Sequence, residues 1–326
     1  MSNEEKLMLR AIAILQERGK KAVELAKQVI LQEEVEFKPL QDALHYFMGE
    51  WRDVLHPAML SLACEAVGGD PDMTTDVGAA IVLLAGGADI HDDIIDESTI
   101  KGTQLTVYGR FGKDIAILAG DALLFKGMQL LHSACEKIPN DKKQRILESV
   151  KQAFFEVSSA EAEEASYRGK FDLSEQKYLD IIKKKVAAGE ASMKIGAIIG
   201  NGTTEQIELL RHYGRTYGML MTIRDEFVDM FEADELENRA KKECLPFPLM
   251  LALQNSPEKA RILHLLEGKL TEREIEDVLE FVMEAPTTYK LKEYMKHKID
   301  VAAQQISSFK VNQILLLLLN STIEDL

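Results

Sequence analysis

Apolar residues recur three and four positions apart along most of the chain, the spacing of helices that bury one face. It predicts helices over residues 3–33, 39–68, 73–96, 112–135, 141–169, 175–200, 204–232, 271–283 and 287–317. Clear breakers separate them: GGDPD at 68–72, KGTQ at 101–104, IPND at 138–141, NGTT at 201–204, NSPE at 255–258 and EAPTT at 284–288. Glycine, proline and asparagine in such clusters are turn formers. No window alternates apolar and polar residues strongly enough to predict a strand. Proline is rare, eight in all, and none falls between Pro71 and Pro139. No linker and no internal repeat divides the chain. The pattern predicts one all-α domain over residues 1–326, a bundle of long helices around a shared interior.

Composition narrows the partners. The chain has 326 residues and a formal net charge of −15. An excess of acid repels a nucleic-acid backbone, so no nucleic-acid partner is expected. Cys64, Cys135 and Cys244 lie far apart without a CxxC spacing, which predicts neither a zinc site nor a disulfide framework and points to a reducing, cytoplasmic setting. The start, MSNEEKLMLR, lacks the apolar run of a signal peptide. The apolar run ILLLLL at 314–319 is too short to cross a bilayer, so no stable membrane insertion is expected.

Candidate chemistry concentrates in two acidic turns. Residues 88–97 read ADIHDDIIDE, with Asp89, Asp92, Asp93, Asp96 and Glu97 in ten positions. On a helix Asp89, Asp93 and Asp96 line up, with Asp92 beside them. One turn back lie Ala85, Gly86, Gly87 and Ala88. Each helical glycine costs about 1 kcal/mol relative to alanine, so the pair predicts that space is wanted: a carboxylate rim above a hollow. RDEFVDM at 224–230 repeats the device, with Asp225 and Asp229 four apart, Glu226 adjacent, and Gly218, Met221 and Thr222 behind. Acid runs are often only solvated helix ends. Two matched, oxygen-only clusters instead suit magnesium, which takes few carboxylates and completes its shell with water and substrate phosphate. Cations for the far side of a diphosphate are available in Lys183, Lys184 and Lys185, and in Lys241 and Lys242 before CLPFP. A lysine run is equally consistent with a solvated face.

These segments resemble the trans-isoprenyl diphosphate synthase, or polyprenyl synthetase, family. HDDIID (91–96) is similar to its first aspartate-rich motif, and FGKDIAILAGDALLF (111–125) to the stretch after it. KYLDIIKKKVAA (177–188) resembles the lysine-bearing helix, YGRTYGMLMTIRDEFVDM (213–230) the second aspartate-rich motif, and KKECLPFPLM (241–250) the segment beyond. The resemblance implies an isoprenoid-synthase-type helical bundle, usually a homodimer, with a heteromer as the other option. It implies an allylic prenyl diphosphate substrate, three Mg2+ ions with diphosphate bound, and condensation of the resulting carbocation with isopentenyl diphosphate. It also implies Asp92, Asp96 and Asp225 as metal ligands supported by Asp93 and Asp229, and Lys185 and Lys242 as grips on the allylic diphosphate. Developing negative charge on the leaving group is then met by fixed cations.

The departures cluster at the second substrate. Where the family carries GGKRLRP this chain has WRDVLHP (51–57), with Asp53, Val54 and His56 in the basic positions. RRG has become IKG (100–102), leaving Lys101. Val186, Thr222 and Glu226 replace a threonine, a glutamine and an aspartate, and Asp89 fills an apolar position. Losing the guanidinium contacts costs several kcal/mol, at about 1.5–3 kcal/mol for each charge-assisted hydrogen bond. Arg52, His56, Lys101 and Arg110 are the residues available to rebuild that site, with Thr222 beside the allylic one. Three functions are therefore in view: a prenyltransferase with a reshaped isopentenyl site, an enzyme that ionises an allylic diphosphate without a second substrate, and a non-catalytic subunit of a heteromeric synthase.

Overall fold

A computed structural model describes residues 5–51, 53–171, 173–324 and 326, apart from the side chains at 5, 6, 233 and 234. Sixteen α-helices carry the described chain, joined by short loops, one 3-10 turn and one small hairpin. The all-α expectation holds. Four helices frame the site: α4 (Thr75–Ile95), α7 (Asn140–Ala165), α8 (Glu175–Lys185) and α10 (Thr204–Asp229). Two shorter elements close it, β1–β2 (Ile100–Lys101, Gln104–Leu105) after α4 and α11 (Ala233–Lys242) after α10.

Several long periodic segments are broken where the pattern ran on. Residues 39–68 form α2 (Lys38–Glu50) and α3 (Leu55–Ala66). The break at 51–54 has a local cause: Asp53 Oδ1 accepts from the backbone N–H of Leu55 at 2.7 Å, satisfying an otherwise orphaned donor at the start of α3. Residues 175–200 break at Val186 into α8 and α9 (Ala187–Ile199). Lys183, Lys184 and Lys185 thus fall in the last turn of α8, where the helix dipole favours cations. The hairpin, α5 (Val107–Phe111), α11, α12 (Phe247–Leu253) and α13 (Lys259–Leu266) are elements too short to show a period.

Two apolar clusters make the interior. The larger packs α3, α9, α10, α12, α15 (Pro286–Ile306) and α16 (Asn312–Ser321); the smaller packs α1 (Glu5–Leu31), α2 and α4 against α6 (Lys113–Glu136). Among the described residues, 71–95 and 113–136 are long and apolar enough to cross a bilayer by length and composition. Here they pack on each other, and most of the first is buried.

That packing corrects the reading of Gly86 and Gly87. A Cβ on Gly87 would lie 2.8 Å from the Gly120 carbonyl oxygen and 2.7 Å from Leu124, and one on Gly86 2.7 Å from the Phe47 ring. The glycines let α6 and α2 approach α4 closely; they do not open a hollow beneath the acids. Gly87→Ala is therefore expected to destabilise the chain by about 1–3 kcal/mol, as forced overpacking does, measured by urea denaturation. An unchanged midpoint would mean that the helices are not held at this spacing.

Candidate active site

The acids at the end of α4 divide between two neighbours. Asp89 and Asp93, one turn apart, face the hairpin: Lys101 Nζ lies 2.8 Å from Oδ1 of each. Asp92 and Asp96, one turn apart on the adjoining face, look toward α7 and α8. The single stripe of Asp89, Asp93 and Asp96 expected from the sequence is thus two stripes with different counter-charges.

On the second face, α7 supplies two acids that the sequence reading passed over. Lys185 is ion-paired with Glu164, and Glu161 Oε2 is 3.5 Å from its Nζ. Burial would lower Lys185, but Glu164, Glu161 and Asp92 together hold its ammonium above the ordinary range. Asp92 and Glu161 are within hydrogen-bonding reach of one another. Burial pushes both carboxyls up, Glu161 to about 8, with Lys185 opposing. Asp92 Oδ1 is buried without a partner. Asp96 Oδ1 accepts from Arg168 Nη2 at 3.0 Å. Four acids (Asp92, Asp96, Glu161, Glu164) thus meet two cations (Lys185, Arg168), and four less two leaves two formal negative charges. The EAEEA run at 161–165 reads as an ordinary solvated helix face; only the three-residue spacing of Glu161 and Glu164 hints that they point inward together.

The second turn is tied down by Arg239 of α11. Arg239 Nη1 donates to Asp229 at 2.7 Å and Nη2 to Glu226 at 3.2 Å. Glu226 is 4% exposed. Its Oε1 lies 3.0 Å from the Tyr178 hydroxyl, and its Oε2 accepts from the backbone N–H of Phe247 at 2.8 Å. Burial raises its carboxyl, with Arg239 opposing. Glu226 is therefore an internal anchor. Asp225 projects outward, its side chain 57% exposed, 3.3 Å from Arg224. Many protein atoms still surround it; this partial desolvation and then Asp229 push its carboxyl up to about 6, against Arg224. Thr222, half-buried, lies one turn earlier.

α11 joins the two turns. Lys242 Nζ donates to the Glu97 carbonyl at 3.2 Å, just past the first turn. Glu243 is close enough to Asp96, and Glu235 to both Asp229 and Lys101, for each to affect the other's ionisation. Asp92, Asp96 and Lys185 are thus brought into one cluster, with Asp93 and Lys101 on its flank and Lys242 and Asp229 beside it; Asp225, exposed, keeps Arg224 as its charged partner.

Two of the cations expected for a second diphosphate, Lys101 and Arg110, are otherwise engaged. Lys101 is clasped by two aspartates. Arg110 stacks over Tyr46, its guanidinium carbon 4.3 Å from the ring centre. His56 is half-buried at the start of α3. Arg52 lies outside the described residues. Among the described residues no three His, Cys, Asp or Glu side chains converge tightly enough to hold a metal ion by themselves. Two small cavities, about 30 and 90 Å3, are lined by none of the aspartates of the two turns.

This all-α frame is shared with isoprenyl diphosphate synthases of known structure. The family description polyprenyl synthetase matches residues 38–283. A short chain isoprenyl diphosphate synthase of Methanothermobacter thermautotrophicus is 33% identical over 56% of this chain and 55% of that protein. A geranylgeranyl diphosphate synthase of Sulfolobus acidocaldarius is 29% identical over 72% of this chain and 74% of that protein. The crystal structure of geranylgeranyl pyrophosphate synthetase from Pyrococcus horikoshii superposes with a TM-score of 0.84 at 25% identity, covering 99% of both chains. The chain belongs to the polyprenyl synthetase family of prenyltransferases.

Asp96 generates a pH prediction. Burial, then Asp92, holds its carboxyl at about 7 against an ordinary 3.8. Below the lower value both folded and unfolded chains carry the proton. As pH rises from about 4 to about 7 the unfolded chain ionises first, so stability is lost, and the loss is complete above the folded value. Asp96→Asn removes this slope. In metal-free buffer the melting temperature of the variant should fall less between mildly acidic and mildly alkaline pH than that of the unaltered chain; parallel curves would refute the assignment.

Proposed function

We propose that this chain is a magnesium-dependent trans-prenyltransferase that ionises an allylic prenyl diphosphate and joins it to isopentenyl diphosphate. The observation that carries the reading is the convergence of four carboxyl groups, Asp92, Asp96, Glu161 and Glu164, on two cations, with Asp92 Oδ1 buried and unpartnered. A buried, unpaired carboxylate oxygen is costly unless a cation meets it. The donor set, all oxygen and short of a complete shell, fits Mg2+ that takes its remaining ligands from water and phosphate. Asp92 and Asp96 would hold the ion on the first turn and Asp225 and Asp229 on the second, with Asp93 in support and three ions present beside bound diphosphate. Bound there, the metal neutralises charge on the departing diphosphate.

The chain's own groups do the rest. Lys185 Nζ, now shared between Glu164 and Glu161, would be the cation available to a diphosphate oxygen once metal ions met those carboxylates. Lys242, beside the first turn at Glu97, would add a second contact, and Thr222 offers a hydroxyl. The free, buried Cys64, Cys135 and Cys244 are compatible with a reducing, cytosolic compartment. A homodimer fits the stripe of exposed apolar side chains on α6: Leu118 (51%), Phe125 (77%) and Met128 (50%). Those positions fall one turn or two apart on one face, a patch that solitary soluble chains rarely present.

One observation favours a second reading. Lys101 and Arg110 are committed to other partners, which suits an enzyme that ionises the allylic diphosphate without isopentenyl diphosphate. Incubation with Mg2+, farnesyl diphosphate and labelled isopentenyl diphosphate separates the two. A longer labelled diphosphate is the expected product, whereas released diphosphate with hydrocarbon or alcohol and unconsumed label favours the second. No turnover without an added partner chain favours a regulatory subunit. Asp92→Ala should lower diphosphate release at least about 100-fold, the scale of losing a transition-state charge stabiliser; undiminished release would remove this cluster from the chemistry. Phe125→Asp should shift the sedimentation coefficient to that of a monomer, and a chain already monomeric would exclude the α6 interface.

A further inference from the structure

Lys101 is the only residue of the hairpin that reaches back to α4 with charge, and its tether is rigid. The register pairs Ile100 with Leu105 and Lys101 with Gln104. Tyr46 donates its hydroxyl hydrogen to the Leu105 carbonyl at 2.5 Å, Thr106 Oγ1 donates to the Ser98 carbonyl at 2.7 Å, and Thr106 N–H donates to the Thr99 carbonyl at 3.0 Å. Gly109 closes behind: a Cβ there would lie 2.1 Å from the Thr99 oxygen. The ammonium is thereby delivered to a point 2.8 Å from Asp89 Oδ1 and 2.8 Å from Asp93 Oδ1. Asp93 is 4% exposed and has burial to offset, whereas the Asp89 and Lys101 side chains are 38% and 51% exposed, so the clasp borders water on its outer side.

Two carboxylates one helical turn apart repel and are the kind of pair that draws a divalent ion. On this helix the end turn offers two such pairs: one already has the Lys101 ammonium 2.8 Å from both Oδ1 atoms, whereas in the other Asp92 Oδ1 is buried without a partner. We propose that Lys101 is a built-in counter-ion: with Asp89 as its outer anchor it takes the place a divalent cation would hold between Asp89 and Asp93, so that α4 offers metal a single pair, Asp92 and Asp96. Asp89 is then a positioning residue for Lys101, and Lys101 is withheld from any second diphosphate. The inference extends the proposed function, since it takes Asp92 and Asp96 as the cation-holding pair.

The test counts Mn2+ bound to the full chain, reading free Mn2+ by electron paramagnetic resonance in mildly alkaline buffer without substrate. Lys101→Ala should bind one more Mn2+ per chain than the unaltered protein. Lys101→Arg, which keeps a cation on the tether, and Asp89→Asn, which leaves Lys101 on Asp93, should bind the unaltered number. The added ion should vanish in Asp89→Asn combined with Lys101→Ala, because one carboxylate remains. Lys101→Ser serves if the alanine variant fails to fold by circular dichroism. No gain in a folded Lys101→Ala or Lys101→Ser chain overturns the proposal, and so does a gain that survives Asp89→Asn. An unaltered chain that binds no Mn2+ while Lys101→Ala binds one supports the clasp and removes Asp92 and Asp96 as the metal pair, so the two readings fail separately.

Discussion

Crowded negative charge is the constraint around which this molecule is arranged. Asp92, Asp96, Glu161 and Glu164 converge on two cations, Lys185 and Arg168, in a partly buried setting. Water screens such repulsion poorly once side chains are withdrawn from it. The fold therefore has to hold the acids together from outside. It does so with helix–helix packing close enough to exclude a Cβ at Gly87 and Gly120, and with the Lys185 and Arg168 ion pairs. Raised carboxyls at Asp92, Asp96 and Glu161 are the electrostatic record of what remains uncompensated.

The two halves of the site are stabilised by different physics. At α4 the acids keep ionic partners that border water: Lys185 and Arg168 have side chains about one-third exposed. At α10 the partners are internal. Glu226, Arg239 and Tyr178 form a buried set in which each polar atom meets another, Tyr178 also stacks on Phe247 at 4.8 Å, and removing one member leaves an uncompensated charge or hydroxyl. The glutamate that departs from the aspartate of the family motif is thereby explained. Its longer side chain reaches both the Phe247 backbone and Arg239, making position 226 part of the scaffold.

Much of this was legible in the residues themselves. Three- and four-residue spacing located the long helices, and the acid turns announced where charge would gather. Helix breaks were less visible, because periodicity continues across Val186 and across 51–54 while the chain direction changes; the Asp53 cap is a two-residue event that no eleven-residue pattern registers. The partition of the α4 acids was also hidden. Asp89 and Asp93 differ from Asp92 and Asp96 only in which neighbour each face meets, and those neighbours, Lys101 and Glu161, are 12 and 69 positions from Asp89 and Asp92, taking 101 less 89 and 161 less 92. Glycine misled most. Beside an acid turn it suggested empty volume, whereas close packing uses the same residue for the opposite purpose.

Arg239 joins events that sequence separates widely. Through it α10 grips α11, and through Lys242 the far end of α11 rests on the backbone just beyond α4. That helix is short, ten residues from Ala233 to Lys242. Two acid turns remote in sequence thus have the last turn of one short helix as a common neighbour.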